Sequence, residues 1–137
     1  MEKKRTDALP VFSRGTWESG EVVSRIGQGE IGGKAAGLVL MADSLLARID
    51  PDEFPDFQVT IPRMVVLATG MFDSFMDLNG LWDLALSEVT DSRIAHEFQK
   101  ATLPPEYLGD LRDFISQVES PLAVRSSSLL EVALDHL

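Results

Sequence analysis

Seven residues concentrate the chemistry open to this chain. Gly32, Gly33, Lys34 and Ala35 belong to the stretch Arg25-Ile26-Gly27-Gln28-Gly29-Glu30-Ile31-Gly32-Gly33-Lys34-Ala35-Ala36-Gly37-Leu38, and Arg125, Ser126 and Ser127 lie close to the far end. Four glycines within seven residues, Gly27 to Gly33, cost backbone entropy and add nothing to a core, so a purpose besides packing is expected of them. Val22 to Ile26 reads as a short strand and Ala35 to Ile49 as an amphipathic helix, which makes the glycines a strand-to-helix turn with a lysine at the helix start. Such a turn suits anions. The first N–H groups of a helix have no partner within it, the macrodipole places partial positive charge there, and glycine lets a phosphate approach the backbone. Lys34 in the first turn opposes that dipole unless an anion offsets it. Arg125 offers a planar fork that grips phosphate through two hydrogen bonds. Ser126 to Ser128 suit either hydrogen bonding to phosphate or closing a turn.

Two familiar phosphate motifs bear on the glycines. Gly27, Gly29 and Gly32 match the dinucleotide fingerprint G-x-G-x-x-G, after a strand and before a helix. That motif needs an acid about 20 positions on, at the end of the second strand. Here Asp50, Asp52 and Glu53 fall in a proline-rich loop ahead of the next strand. The reading would require Gln58 to Ile61 to pair beside Val22 to Ile26 in a parallel sheet with an acid at its end. The P-loop fails outright, because a motif ending at Lys34 needs glycine where Gln28 stands and a hydroxyl where Ala35 stands. A turn that merely lets helix and strand pack closely is the structural alternative.

The elements that must position these residues follow from periodicity and punctuation. Residues 1–20 read as an N-terminal arm tacked down by Phe12 and Trp17, and residues 21–137 as the folded lobe. Leu38, Met41, Ala42, Leu45 and Ile49 recur at helical spacing, and Asp50-Pro51 should end that helix. Asp52, Glu53 and Asp56 read as a solvated connection, with metal binding the weaker alternative. Gln58 to Ile61 and Met64 to Leu67 are apolar segments around Pro62, the second placed in the sheet interior. Thr69 is expected to N-cap a helix through Phe72, Phe75 and Met76 that stops at Asn79-Gly80. Leu81 to Glu88 and Ser92 to Ala101 read as helices, the latter carrying His96 with no partner that would make it a catalyst. Pro104-Pro105 opens a last helix with Leu108, Leu111, Ile115 and Val118 as its apolar stripe and Phe114 widening it. Leu122-Ala123-Val124 reads as a strand leading into Arg125.

Composition bounds the class. The chain has 137 residues, 45% hydrophobic and 25% charged, which suits one globular domain. A formal net charge of −10 disfavours nucleic acid and anionic lipid, and the basic run Lys3-Lys4-Arg5 does not reverse it. There is no cysteine, no secretory signal and no apolar run long enough to span a bilayer, so a cytoplasmic location is expected.

Gly29-Glu30-Ile31-Gly32-Gly33-Lys34-Ala35-Ala36-Gly37-Leu38, with Pro121-Leu122-Ala123-Val124-Arg125-Ser126-Ser127-Ser128-Leu129-Leu130-Glu131 after it, resembles the ATP-binding domain of the phosphoenolpyruvate synthase and pyruvate, phosphate dikinase family. The two pieces come in the family's order, joined by an Ile61-Pro62 segment like its strand-turn-helix connection, and the likeness covers about Val22 to Glu131. It implies an α/β fold with a mixed sheet flanked by helices, the first lobe of an ATP-grasp nucleotide site. It also implies that Lys34 and Arg125 contact ATP phosphates, with Gly32, Gly33, Ala35, Ser126 and Ser127 around them. The parent reaction would carry a phosphoryl group from ATP to an enzyme histidine and then to pyruvate, with other domains as partners. One departure stands out: the family continues with a Glu-Asp pair, whereas Val132 follows Glu131. The family's Mg²⁺-binding acids and histidine motif have no counterpart here, and neither His96 nor His136 resembles that motif. The expectation is an N-terminal piece that is inactive alone, with Mg²⁺ serving only the complete enzyme. A non-catalytic anion-binding or regulatory module is the alternative, and a small Rossmann protein a third reading.

Overall fold

The computed structural model describes residues 9–45, 48–50, 52–53 and 55–127. A short helix α1 (Arg14–Glu18) precedes strand β1 (Val23–Ile26). Helix α2 (Gly33–Leu40) follows and continues as a π-helical turn, Met41–Leu45. Strand β2 (Met64–Leu67) then pairs with β1 in parallel, Val23 opposite Met64 and Ile26 opposite Leu67. Parallel neighbours cannot be joined by a tight hairpin, and α2 lies in the crossover that joins these two. On the other side of β1, Val11 forms a parallel bridge with Arg25, where Phe12 N–H donates to Arg25 O at 2.7 Å and Arg25 N–H to Pro10 O at 2.9 Å. The class is therefore mixed α/β, as expected. Every strand pairing among the described residues is parallel, so the mixed-direction sheet is not what they form.

Side chains alternate across a strand, and the two faces of this small sheet build two cores. On one face Val23 and Val66 pack with Ile31, Ala35 and Val39, which places α2 over that face. On the other, Ile26 packs with Phe12 and Met71, beside Trp17, Val65, Tyr107, Leu111 and Phe114. Three of these come from α6 (Pro105–Gln117), the last helix among the described residues, so α2 and α6 sandwich the sheet. Phe114 is the hinge of the second core. Its ring meets Phe12 edge-on at 5.8 Å and Trp17 at 5.2 Å, contacts that each contribute about 0.5–1.5 kcal/mol beyond area burial. Arg63 stacks over Trp17 at 3.8 Å and donates to the carbonyls of Trp17 and Glu21. Phe12 and Trp17 thus fasten the segment before β1 to the body, as their types suggested.

The remaining helices are α3 (Thr69–Asn79), α4 (Trp82–Ala85) and α5 (Asp91–Lys100). Helix α3 stops where Asn79-Gly80 said it would. Gly80 is left-handed, φ 60°, and the bonds Gly80 N–H to Asp77 O and Leu81 N–H to Met76 O close a Schellman motif. Helix α4 is shorter than Leu81 to Glu88, because Ser87 gives both its N–H and its hydroxyl to Leu84 O and turns the chain out. Helix α6 begins at Pro105 as expected, but its packed stripe is rotated. Tyr107 joins Leu111 and Phe114, at i, i+4 and i+7, and Ile115 is left 59% exposed.

Three extended segments also differ from expectation. Met64 to Leu67 is a strand, yet with β1 its only described neighbour it is not interior, and Leu67 is exposed. Gln58 to Ile61 and Leu122 to Val124 form no strand, and Val124 is 92% exposed. Composition makes a segment suitable for a ladder, but a partner strand has to be present to complete one.

Candidate functional site

The glycine turn divides into two parts with different partners. Leaving β1, the chain passes through Gly27 and Gly29 at φ 84° and 102°, in the left-handed region that favours glycine. This brings the backbone of Gln28 and Glu30 onto the start of α3. Gly70 N–H donates to Gln28 O at 2.8 Å and Thr69 N–H to Glu30 O at 2.9 Å. The Thr69 hydroxyl in turn accepts Glu30 N–H at 3.0 Å. The approach leaves no space for side chains: a Cβ on Gly29 would sit 2.5 Å from Thr69 Oγ1, and one on Gly70 would sit 2.5 Å from Gln28 O. Thr69 was expected to cap its own helix, and it does not. The turn's carbonyls take the first donors of α3, and the Thr69 hydroxyl returns a bond to the turn.

The second part begins α2. Gly32 is extended, φ −69° and ψ 163°, and has no side chain with which to cap the helix it precedes. Its carbonyl accepts the first helical bond, from Ala36 N–H at 3.0 Å. Ala35 N–H donates instead to Ser127 Oγ at 3.2 Å, a partner 92 residues along the chain. Gly32 makes this meeting possible, since a Cβ there would overlap the carbonyl and hydroxyl of Ser127. Ala35 is buried, Gly33 half-buried and Lys34 exposed. Gly33 starts the helix and is not among the glycines of positive φ, so the need for a left-handed backbone belongs to Gly27 and Gly29.

Of the seven candidates, then, Gly32, Ala35 and Ser127 are in direct contact, and Gly33 and Lys34 complete the same helical turn. Arg125 and Ser126 are exposed on the segment that delivers Ser127, and the described hydrogen bonds reach neither. Ser128, Glu131, Val132 and His136 lie outside the described residues. Arg25 carries a role that its sequence position did not signal. Half-buried, it donates to Leu9 O at 3.3 Å and Gly27 O at 2.6 Å, holding the turn to the segment before β1.

The other candidates stand apart from this turn. Asp52 and Glu53 are exposed, and Asp52 N–H binds Asp50 Oδ1 at 3.0 Å as in an Asx-turn. Asp56 and His96 are also exposed. Among the described residues no three His, Asp or Glu side chains come together in a metal-ligating group, and no helix is long and apolar enough to cross a membrane. One depression of about 330 Å³ lies between Leu9, Glu21, Val39 and Asp43, and another of about 400 Å³ lies along α5. Neither is lined by the residues of the glycine turn. The pairing needed for the dinucleotide reading is also replaced: Met64–Leu67, not Gln58 to Ile61, lies beside β1, and it runs into Ala68 and Thr69 instead of an acid. Compared with known proteins, the chain matches no family model, and no curated protein or solved structure matches it significantly.

Proposed function

We propose that this chain is the phosphate-binding part of an ATP-dependent phosphotransferase resembling phosphoenolpyruvate synthase and pyruvate, phosphate dikinase, the first lobe of an ATP-grasp nucleotide site. The hydrogen bond from Ala35 N–H to Ser127 Oγ carries the reading, because it joins two motifs far apart in sequence at one helix N-terminus. Backbone N–H groups of the Gly32–Ala35 turn hold phosphate oxygens, Lys34 supplies a compact cation, and Arg125 grips from the segment bearing Ser126 and Ser127. Phosphoryl transfer needs little covalent help from protein, so positioning and charge neutralisation are the work such residues do. Lys34 and Arg125 alone do not balance a triphosphate in an acidic protein, and Mg²⁺ supplies the remainder in a complete enzyme. In this reading the acids that would hold it belong to the rest of the complete enzyme. The chain by itself therefore binds nucleotide weakly and does not phosphorylate itself or pyruvate.

Calorimetric titration with ATP and with pyrophosphate, each with and without Mg²⁺, tests this. The expected outcome is weak binding with little Mg²⁺ dependence that falls further in Lys34→Ala, while the unfolding midpoint of that exposed-site variant stays close to wild type. Tight, strongly Mg²⁺-dependent ATP binding would mean that the site is complete in this chain. Equal affinities for wild type and Lys34→Ala would remove Lys34 from it.

A further inference from the structure

We infer that residues 121–127 form a latch on the N-terminus of α2, an autoinhibitory contact in which the Ser127 hydroxyl occupies the N–H that an incoming oxyanion needs. The segment is exposed along its whole length and has no regular secondary structure. Among the described residues its one hydrogen bond is that between Ser127 Oγ and Ala35 N–H. The contact is nonetheless fitted, because the bare Cα of Gly32 leaves the notch into which the Ser127 carbonyl and hydroxyl settle. A hydroxyl at a helix N-terminus satisfies an orphan donor, and an anion satisfies the same donor with the macrodipole in its favour. Both cannot hold Ala35 N–H in the same geometry. Ser127 is thus a ligand-mimicking cap that must move before phosphate enters, and Arg125, two residues before it, moves with it.

The exclusion half of this inference rests on the phosphate-binding reading, whereas the latch itself does not, and two measurements on the full chain separate them. The first is trypsin cleavage of the Arg125–Ser126 bond. Gly32→Ala introduces a Cβ where Ser127 sits, at a φ of −69° that any residue adopts, and Ser127→Ala removes the acceptor. Both variants should raise cleavage after Arg125 about three- to tenfold, the population shift expected for one net hydrogen bond, with cleavage after Arg112 in α6 unchanged. Unchanged cleavage after Arg125 in both variants overturns the latch.

The second measurement is titration with inorganic pyrophosphate, which Ser127→Ala should bind about three- to tenfold more tightly than wild type. Faster cleavage combined with equal or weaker affinity in Ser127→Ala overturns the exclusion and makes Ser127 a ligand donor. Faster cleavage with no pyrophosphate binding by either protein leaves the latch standing and removes the anion site from α2.

Discussion

The N-terminus of α3 gives Thr69 and Gly70 N–H to backbone carbonyls of the glycine turn, whereas the N-terminus of α2 gives Ala35 N–H to a hydroxyl on a distant exposed segment. Both helix starts carry the same dipole, and both lie against glycines. They differ in whether the partner can leave. Gln28 and Glu30 belong to the chain that exits β1, so withdrawing their carbonyls means moving that strand end, to which Ala68 N–H is also bonded through Ile26 O at 3.0 Å. Ser127 lies on an exposed segment whose one described hydrogen bond is this contact, so in the latch reading it is withdrawn without moving a strand. A glycine-rich turn before a helix is therefore not evidence for a ligand at each of its glycines. Gly27 and Gly29 are accounted for by their left-handed φ and the close approach of the turn to α3, and Gly32 is where the Ser127 hydroxyl meets α2.

Substitutions at the two starts can break this contrast. The largest effect is expected at Gly29, where a side chain meets both a left-handed backbone and the start of α3. Gly29→Val should cost about 2–4 kcal/mol, measured as a shift of the urea midpoint at unchanged slope. Gly32→Ala should cost less than about 1 kcal/mol, since it displaces only a surface segment. Equal losses at the two positions would mean that residues 121–127 are as integral to the fold as α3. Thr69→Val comes next. It keeps the shape but removes the acceptor of Glu30 N–H, and about 1 kcal/mol of stability should go with it. Ser127→Ala should lose about 0.7–1.4 kcal/mol, the free-energy equivalent of its three- to tenfold rise in cleavage after Arg125, and a larger loss would mean that more than this one bond holds residues 121–127.

Elements whose causes are local were legible in the sequence. Met64 to Leu67, the stop at Gly80 and the start at Pro105 each follow from a few adjacent residues. What was not legible depends on residues far away. Gln58 to Ile61 and Leu122 to Val124 have strand composition but no described partner, and β-structure exists only in pairs. The stripe of α6 turned toward Tyr107 because Phe12, Ile26 and Met71 meet it there, and no reading of the helix alone would find that. At the candidate site, the glycines and Ser127 could be singled out separately. That Thr69 and Gly70 account for the first half of the turn, and Ser127 for the second, required the fold.

The spans of the two caps also set an order of events. The Glu30–Thr69 bond closes 39 residues and the Ala35–Ser127 bond closes 92, an added loop-closure cost of only about 0.8 kcal/mol. Entropy alone thus hardly separates them, but synthesis does. The ribosome will have released β1, α2, β2 and the first turn of α3 well before Ser127 emerges, so the rigid half of the turn can assemble while the start of α2 still faces solvent uncapped. During that interval the nascent chain offers its α2 donors to any passing anion.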